Sequence, residues 1–166
     1  MGRSIALAAL FVVAIAAGWW VYTHRTTSAA DHITVYYTKL DGSTEVPWTV
    51  SLGPARDPQS VAFYAATQAI AGPPAGTDAV RFPPGTHVLG VTINGSTADV
   101  DISKEVEGLA GGSFAEGAAF KSLVWTMTGL PGVHITSVTI RVDGARIPTL
   151  PGGHFELDEP LTRSSW

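Results

Sequence analysis

Three Asx-Gly pairs, Asp41-Gly42, Asn94-Gly95 and Asp143-Gly144, each lie between runs of alternating apolar residues. Asx and glycine reach left-handed backbone at little cost, so such a pair between two period-2 runs predicts a β-hairpin. Ile33, Val35 and Tyr37 alternate before the first pair, and Val46, Trp48, Val50 and Leu52 after it. Pro47 sits inside that second arm, and because proline cannot donate to a ladder the arm is expected at a sheet edge. Leu89, Val91 and Ile93 face Ala98, Val100 and Ile102 across the second pair. Val138, Ile140 and Val142 lead into the third, with Ile147 on a weaker return arm.

Two helical patterns separate the hairpins. The first opens with Asp57 as N-cap and Pro58 at the first helical position, carries Val61, Ala62, Ala65, Ala66, Ala69 and Ile70, and stops at Gly72 before Pro73-Pro74. The second opens with a capping box, Ser113-Phe114-Ala115-Glu116, places Phe120, Leu123, Val124 and Met127 at helical spacing, and ends at Gly129 before Pro131. The order β-β-α-β-β-α-β-β defines an α+β domain: a single antiparallel or mixed sheet of about six strands, with both helices on one face.

Residues 5–22 form an eighteen-residue run without a charge, close to the roughly 20 residues that cross a bilayer as a helix. Arg3 precedes the run, while Trp19, Trp20 and Tyr22 close its far end, where amphipathic rings favour the headgroup level. The expected organisation is a cytoplasmic stub and transmembrane anchor at 1–22, a linker at 23–31 and an extracytoplasmic domain at 32–166, on a single-pass protein of the cell membrane. A cleaved signal peptide, with Ser28, Ala29 and Ala30 before Asp31, is the competing reading. The length of the run favours the anchor, since a signal-peptide core spans about 7 to 15 residues.

The chain has no cysteine, which excludes disulfides, thiolate metal sites, a thiol nucleophile and a lipid-bearing cysteine. The first thirty residues hold two of the ten basic residues and none of the fourteen acidic ones, so the remainder carries a net charge of −6. That balance argues against nucleic acid as a partner. His24, His32, His87, His134 and His154 show no metal-type spacing, so no metal and no cofactor are expected. Ser113 is taken by the helix cap and no G-x-S-x-G elbow occurs, while Asp99 and Asp101 fit the wet face of a strand whose Val100 and Ile102 face the core. Residues 108–113 lie where phosphate-cradling loops sit but lack both G-x-G-x-x-G and a P-loop lysine. No catalytic centre is expected. Trp48 and Trp125 are expected in or near the core, and Trp166 has no evident core to join. Tyr36 or Tyr37 is expected to be exposed, so Tyr36, Tyr37 and Trp166 are the candidate partner contacts.

One ordered set of residues resembles a known family. Phe82-Pro83-Pro84-Gly85-Thr86, Val88-Leu89, and Ala98-Asp99-Val100-Asp101-Ile102-Ser103 are similar to the middle of the GerMN domain of spore germination and sporulation proteins. Residues 123–128, Leu130-Pro131-Gly132-Val133, residues 138–142 with Asp143-Gly144, and Leu157-Asp158-Glu159-Pro160-Leu161-Thr162-Arg163 continue the pattern in the same order. The resemblance implies an extracytoplasmic domain of Gram-positive-type bacteria, tethered by a lipid or a transmembrane helix, of a kind for which no enzymatic activity is known. It further implies a place in envelope assemblies, including the channel-like complex between mother cell and forespore, and a fold similar to the ring-building motif of secretion-system rings. The family positions are expected to be structural. The expected function is a non-catalytic interaction or scaffold domain that binds an envelope protein, or its own copies, through a sheet edge or helix face; the alternative is a peptidoglycan-binding or other ligand-binding module.

Overall fold

The computed structural model describes residues 31–109, 111–151, 153 and 155–166. The expected anchor, nearly all of the linker and His154 lie outside the described residues; among those described, no helix is long and apolar enough to cross a membrane. The elements are β1 (His32–Thr38), β2 (Glu45–Ser51), α1 (Pro58–Ala71), β3 (Val88–Asn94), β4 (Thr97–Ile102), α2 (Gly112–Thr128) and β5 (Ser137–Val142). Short 3-10 turns occupy Lys104–Gly108 and Arg163–Ser165.

The fold is α+β, but the expected single six-stranded sheet is two sheets: β1-β2, and β3-β4-β5. β1-β2 and β3-β4 are antiparallel, whereas β5 runs parallel to β4 because α2 carries the chain across between them. The sheets do not merge because α2 occupies the outer edge of β1. The Tyr36 N–H donates to Thr126 Oγ1 at 2.9 Å and the Thr38 N–H to Ser122 Oγ at 2.8 Å, and the Thr38 carbonyl accepts the Val80 N–H at 2.8 Å. A strand whose outward groups are already bonded has nothing left to offer another strand. The sixth strand shrinks to a single bridge between Val142 and Ala145, since Pro148 soon removes a ladder donor from the return arm.

The three turns are built differently. Asp143 (φ 51°) and Gly144 (φ 80°) are both left-handed, as a two-residue type I′ turn requires. Asn94 instead pairs with Thr97 and closes β3, leaving Gly95-Ser96 as the loop; only Gly95 has positive φ, the type II′ pattern. Asp41-Gly42 sits in a wider loop, where the Asp41 carboxylate accepts bonds from the Ser43 N–H and hydroxyl.

Asp57 caps α1 as expected, accepting the Ser60 N–H at 3.0 Å, and the alanine stripe is buried. The expected capping box on α2 does not form. The N-cap is Gly111, with left-handed backbone at Gly111 and Gly112, so Ser113 falls inside the first turn without a cap bond. Glu116 turns inward instead, is 3% exposed, and accepts the Phe155 N–H at 3.3 Å. Phe120, Leu123, Val124 and Met127 of α2 meet Ile33 and Val35 of β1, the alanines of α1, and Val100, Ile102, Val138 and Ile140 of the three-stranded sheet in one core. Trp48 does not join it. The register puts Trp48 opposite Val35, but β2 is the outermost strand and the ring is 45% exposed.

Candidate interaction surface on the second helix

α2 is buried on its core stripe and again where Ser122 and Thr126 meet β1, which leaves one flank at helical spacing, Phe114, Gly117, Lys121 and Trp125, with Gly117 covered by Phe155 and Trp166. Phe114 is 55% exposed and its ring lies against Gly42, where a Cβ would come within 2.7 Å of Cζ. Gly117 lets two rings approach the helix backbone, as an added Cβ would stand 3.4 Å from both Phe155 and Trp166. The Trp166 indole N–H donates to the Gly117 carbonyl at 3.0 Å. Trp166 therefore has a seat after all, stacked on Phe155 at 5.9 Å and edge-on to Trp125 at 5.7 Å, while Phe155 stacks on the core residue Phe120 at 6.1 Å. Such offset and edge-to-face pairs are preferred by ring quadrupoles, so the rings pack on one another as a continuous plate.

Two cations border the plate. Lys121 Nζ stands 2.7 Å from Glu45 Oε1 and 5.2 Å from the centre of the Trp125 ring. Arg163 lies 5.4 Å from the same ring, donates to Thr128 Oγ1 at 2.8 Å and to the Trp125 carbonyl at 3.2 Å, and so places positive charge at the C-terminal end of α2, where the helix dipole favours it. Among the described residues Arg163 has no carboxylate partner. Tyr36, half-buried on β1, reaches the same end: a Cβ on Gly129 would be 3.2 Å from Arg163 and 3.4 Å from Tyr36. Phe114, Gly117, Lys121, Phe155 and Trp166 bound a groove of about 350 Å³ in the middle of this face.

Of the three candidate contacts, Tyr36 and Trp166 thus share one face, and Tyr37 is excluded. Tyr37 is 3% exposed, donates its hydroxyl to the Gln68 carbonyl at 3.1 Å, and is held above the ordinary tyrosine pKa by burial. Phe114 and Lys121 could be read from the sequence only as lying off the core stripe of their helix, since the positions opposite that stripe, Ser122 among them, are buried against β1. Phe155 carried no such signal, because it comes from an irregular segment remote in sequence.

The family positions do not converge on a site. Pro84, Gly85 and Thr86 form the turn before β3, with Gly85 at φ 89°, and Ser103 bonds His87 twice across the sheet end, at 3.1 Å and 2.9 Å. Asp101 accepts the Gly144 N–H at 2.9 Å, tying the Asp143-Gly144 turn to β4. Pro131, Gly132 and Val133 turn the chain after α2, with Gly132 at φ 72°; Leu157 is buried, and Pro160 is exposed just before Leu161, which bridges Val138. Asp99 accepts a bond from the Asn94 amide at 3.1 Å. Asp41, Asp57 and Glu105 are each held below the usual carboxylate range, first by a hydrogen bond from Ser43, Ser60 and Ser103 respectively. These are local turn and cap contacts. Among the described residues no three metal-ligating side chains cluster.

Two small sheets locked by a helix that turns an aromatic face to solvent define an α+β domain of the GerMN class. The chain belongs to the Germane family, "Sporulation and spore germination", whose model matches residues 34–148. Among solved structures it is similar to the first GerMN domain of the sporulation protein GerM from Bacillus subtilis, with 26% identity and a TM-score of 0.61 over 80% of this chain and 98% of that one. The tandem GerMN domains of the same protein match with 26% identity and a TM-score of 0.62, over 81% of this chain and 47% of the tandem. A candidate lipoprotein from Clostridium perfringens shares the fold, at 20% identity and a TM-score of 0.58, over 80% of this chain and 87% of that one. No curated protein sequence matches the chain.

Proposed function

We propose that this GerMN domain is a non-catalytic adaptor of a bacterial envelope complex in sporulation or germination, held outside the cell membrane by the apolar segment at residues 5–22. The observation that carries the reading is the α2 face: exposed Phe114 and Trp166, half-buried Tyr36 and Trp125, and two cations sit on a continuous ring plate over small residues. Rigid aromatic and arginine side chains around a shallow pocket have the composition of a binding hot spot. A tether raises effective concentration, so a small interface suffices.

The test is site-specific photo-crosslinking from position 114 in intact cells, with position 49, on the opposite edge strand, as the control. A discrete protein adduct at 114, absent at 49 and lost in Trp166→Ala, is the expected result. No adduct from 114, together with a monomer in sedimentation of the full chain in nanodiscs, refutes the reading. The stacked Phe155–Trp166 pair beside the groove favours a second reading, a peptidoglycan module, because sugar rings pack on such plates. Co-sedimentation of the protein with purified cell wall would select that reading; an adaptor stays in the supernatant.

A further inference from the structure

Among the described residues, three of the four outer sheet edges are blocked or interrupted against a further strand. β1 is closed by the Ser122 and Thr126 hydroxyls. Since Tyr36 and Thr38 point their amides away from β2, their β2 partners Pro47 and Glu45 also point outward, and Pro47 puts a missing donor in the middle of that edge. β5 is closed at both ends, by Leu161 at Val138 and by Ala145 at Val142.

β3 is different. Asn94 and Thr97 close the hairpin, so Thr92 and Asn94 point their main-chain groups at β4, while Val91 and Ile93 point theirs outward. Among the described residues no strand pairs with this side of β3. The outward Val91 carbonyl is bonded by the side-chain amide of Gln59 on α1, which stands where the N–H of a neighbouring strand would stand. Alongside this edge runs an apolar groove of about 460 Å³ walled by Leu52, Pro54, Phe63 and Tyr64, with Phe63 41% exposed.

We propose that the outer edge of β3 is a strand-addition site for an extended, alternately apolar segment of a partner protein. The segment's main chain pairs with Val91 and Ile93, it displaces the Gln59 amide from the Val91 carbonyl, and its alternate side chains enter the groove. A main-chain edge beside an apolar groove is the pairing that strand-addition domains use, with backbone bonds supplying affinity and alternate pockets supplying specificity. This site is distinct from the α2 face, so the two can fail separately.

The test is selection of displayed random nonapeptides against the full chain in nanodiscs, followed by hydrogen exchange across residues 88–94 with the best binder. The expected binders alternate apolar residues without a central proline and slow exchange at Val91 and Ile93. N-methylating the peptide amides of one edge abolishes binding, and Phe63→Ser weakens it about tenfold, as loss of an apolar wall implies. Gln59→Ala is the discriminating variant. If Gln59 stands in for a strand, its removal tightens the peptide by about fivefold, the worth of one competing hydrogen bond; if Gln59 only braces the fold, affinity is unchanged or falls. The proposal is overturned by any of these: no enriched peptide, protection elsewhere than β3, binding indifferent to N-methylation, an affinity that does not rise in Gln59→Ala, or protection of residues 88–94 that rises with protein concentration alone, which would make the occupant a second copy.

Discussion

Ser122→Ala removes one oxygen from the seam between α2 and β1, and the structure sets its cost. Ser122 is 2% exposed; its Oγ accepts the N–H of Thr38, itself fully buried, and lies 3.0 Å from Thr38 Oγ1 and 3.1 Å from the Ala118 carbonyl. A hydroxyl has one proton, so it donates to only one of those two acceptors at a time. Alanine abolishes the accepted bond and leaves a buried N–H without a partner, which costs about 1–3 kcal/mol. Alanine's better helix propensity returns about 0.5 kcal/mol. The net expectation is a loss of about 1.5 kcal/mol, or roughly 4–8 °C in Tm for a domain of this size. Urea unfolding followed by far-UV circular dichroism measures it, and hydrogen exchange at the Thr38 amide locates it. A loss below about 0.5 kcal/mol, with the Thr38 amide still protected, would refute the claim that helix hydroxyls seal this strand.

Other expectations follow from the same geometry. Asp143→Val forces a β-branched residue into left-handed backbone at φ 51° and is expected to cost about 1–2 kcal/mol in thermal unfolding, whereas Asp143→Gly should be near neutral. Asp41, Asp57 and Glu105 have depressed folded pKa values, so the stability they contribute is present above the ordinary carboxylate range and lost as pH falls through the folded values. Buried Tyr37 works in the opposite sense, its contribution being lost as pH rises beyond the ordinary tyrosine value of 10.0. Urea midpoints should therefore fall at both ends of a pH series, and a flat profile below pH 4 would contradict the first limb. Pro47→Val restores an outward donor beside exposed Trp48, and is expected to raise self-association above the wild-type level in sedimentation velocity.

Much of this domain was legible residue by residue. Asp57 and Pro58 start α1, Gly72 ends it, the β3-β4 alternation puts Val91, Val100 and Ile102 inside, and Pro47 marks an edge strand, because each of these depends on local backbone chemistry or on period. The errors arose where distant groups compete for the same atoms. Glu116 and Ser113 spell a capping box, yet Glu116 spends its carboxylate on Phe155, thirty-nine residues away, and the helix starts on glycines instead.

The sequence by itself determined two helices, three chain reversals, an acidic surface and family membership, since periodicity, turn chemistry and charge are read off neighbouring residues. Only the tertiary structure decided that there are two sheets rather than one, which tyrosine is buried, and that Trp166 docks on Gly117. Sheet edges and ring plates are settled by which remote side chain reaches a free donor or a bare patch of backbone first, and chain distance carries no record of that contest.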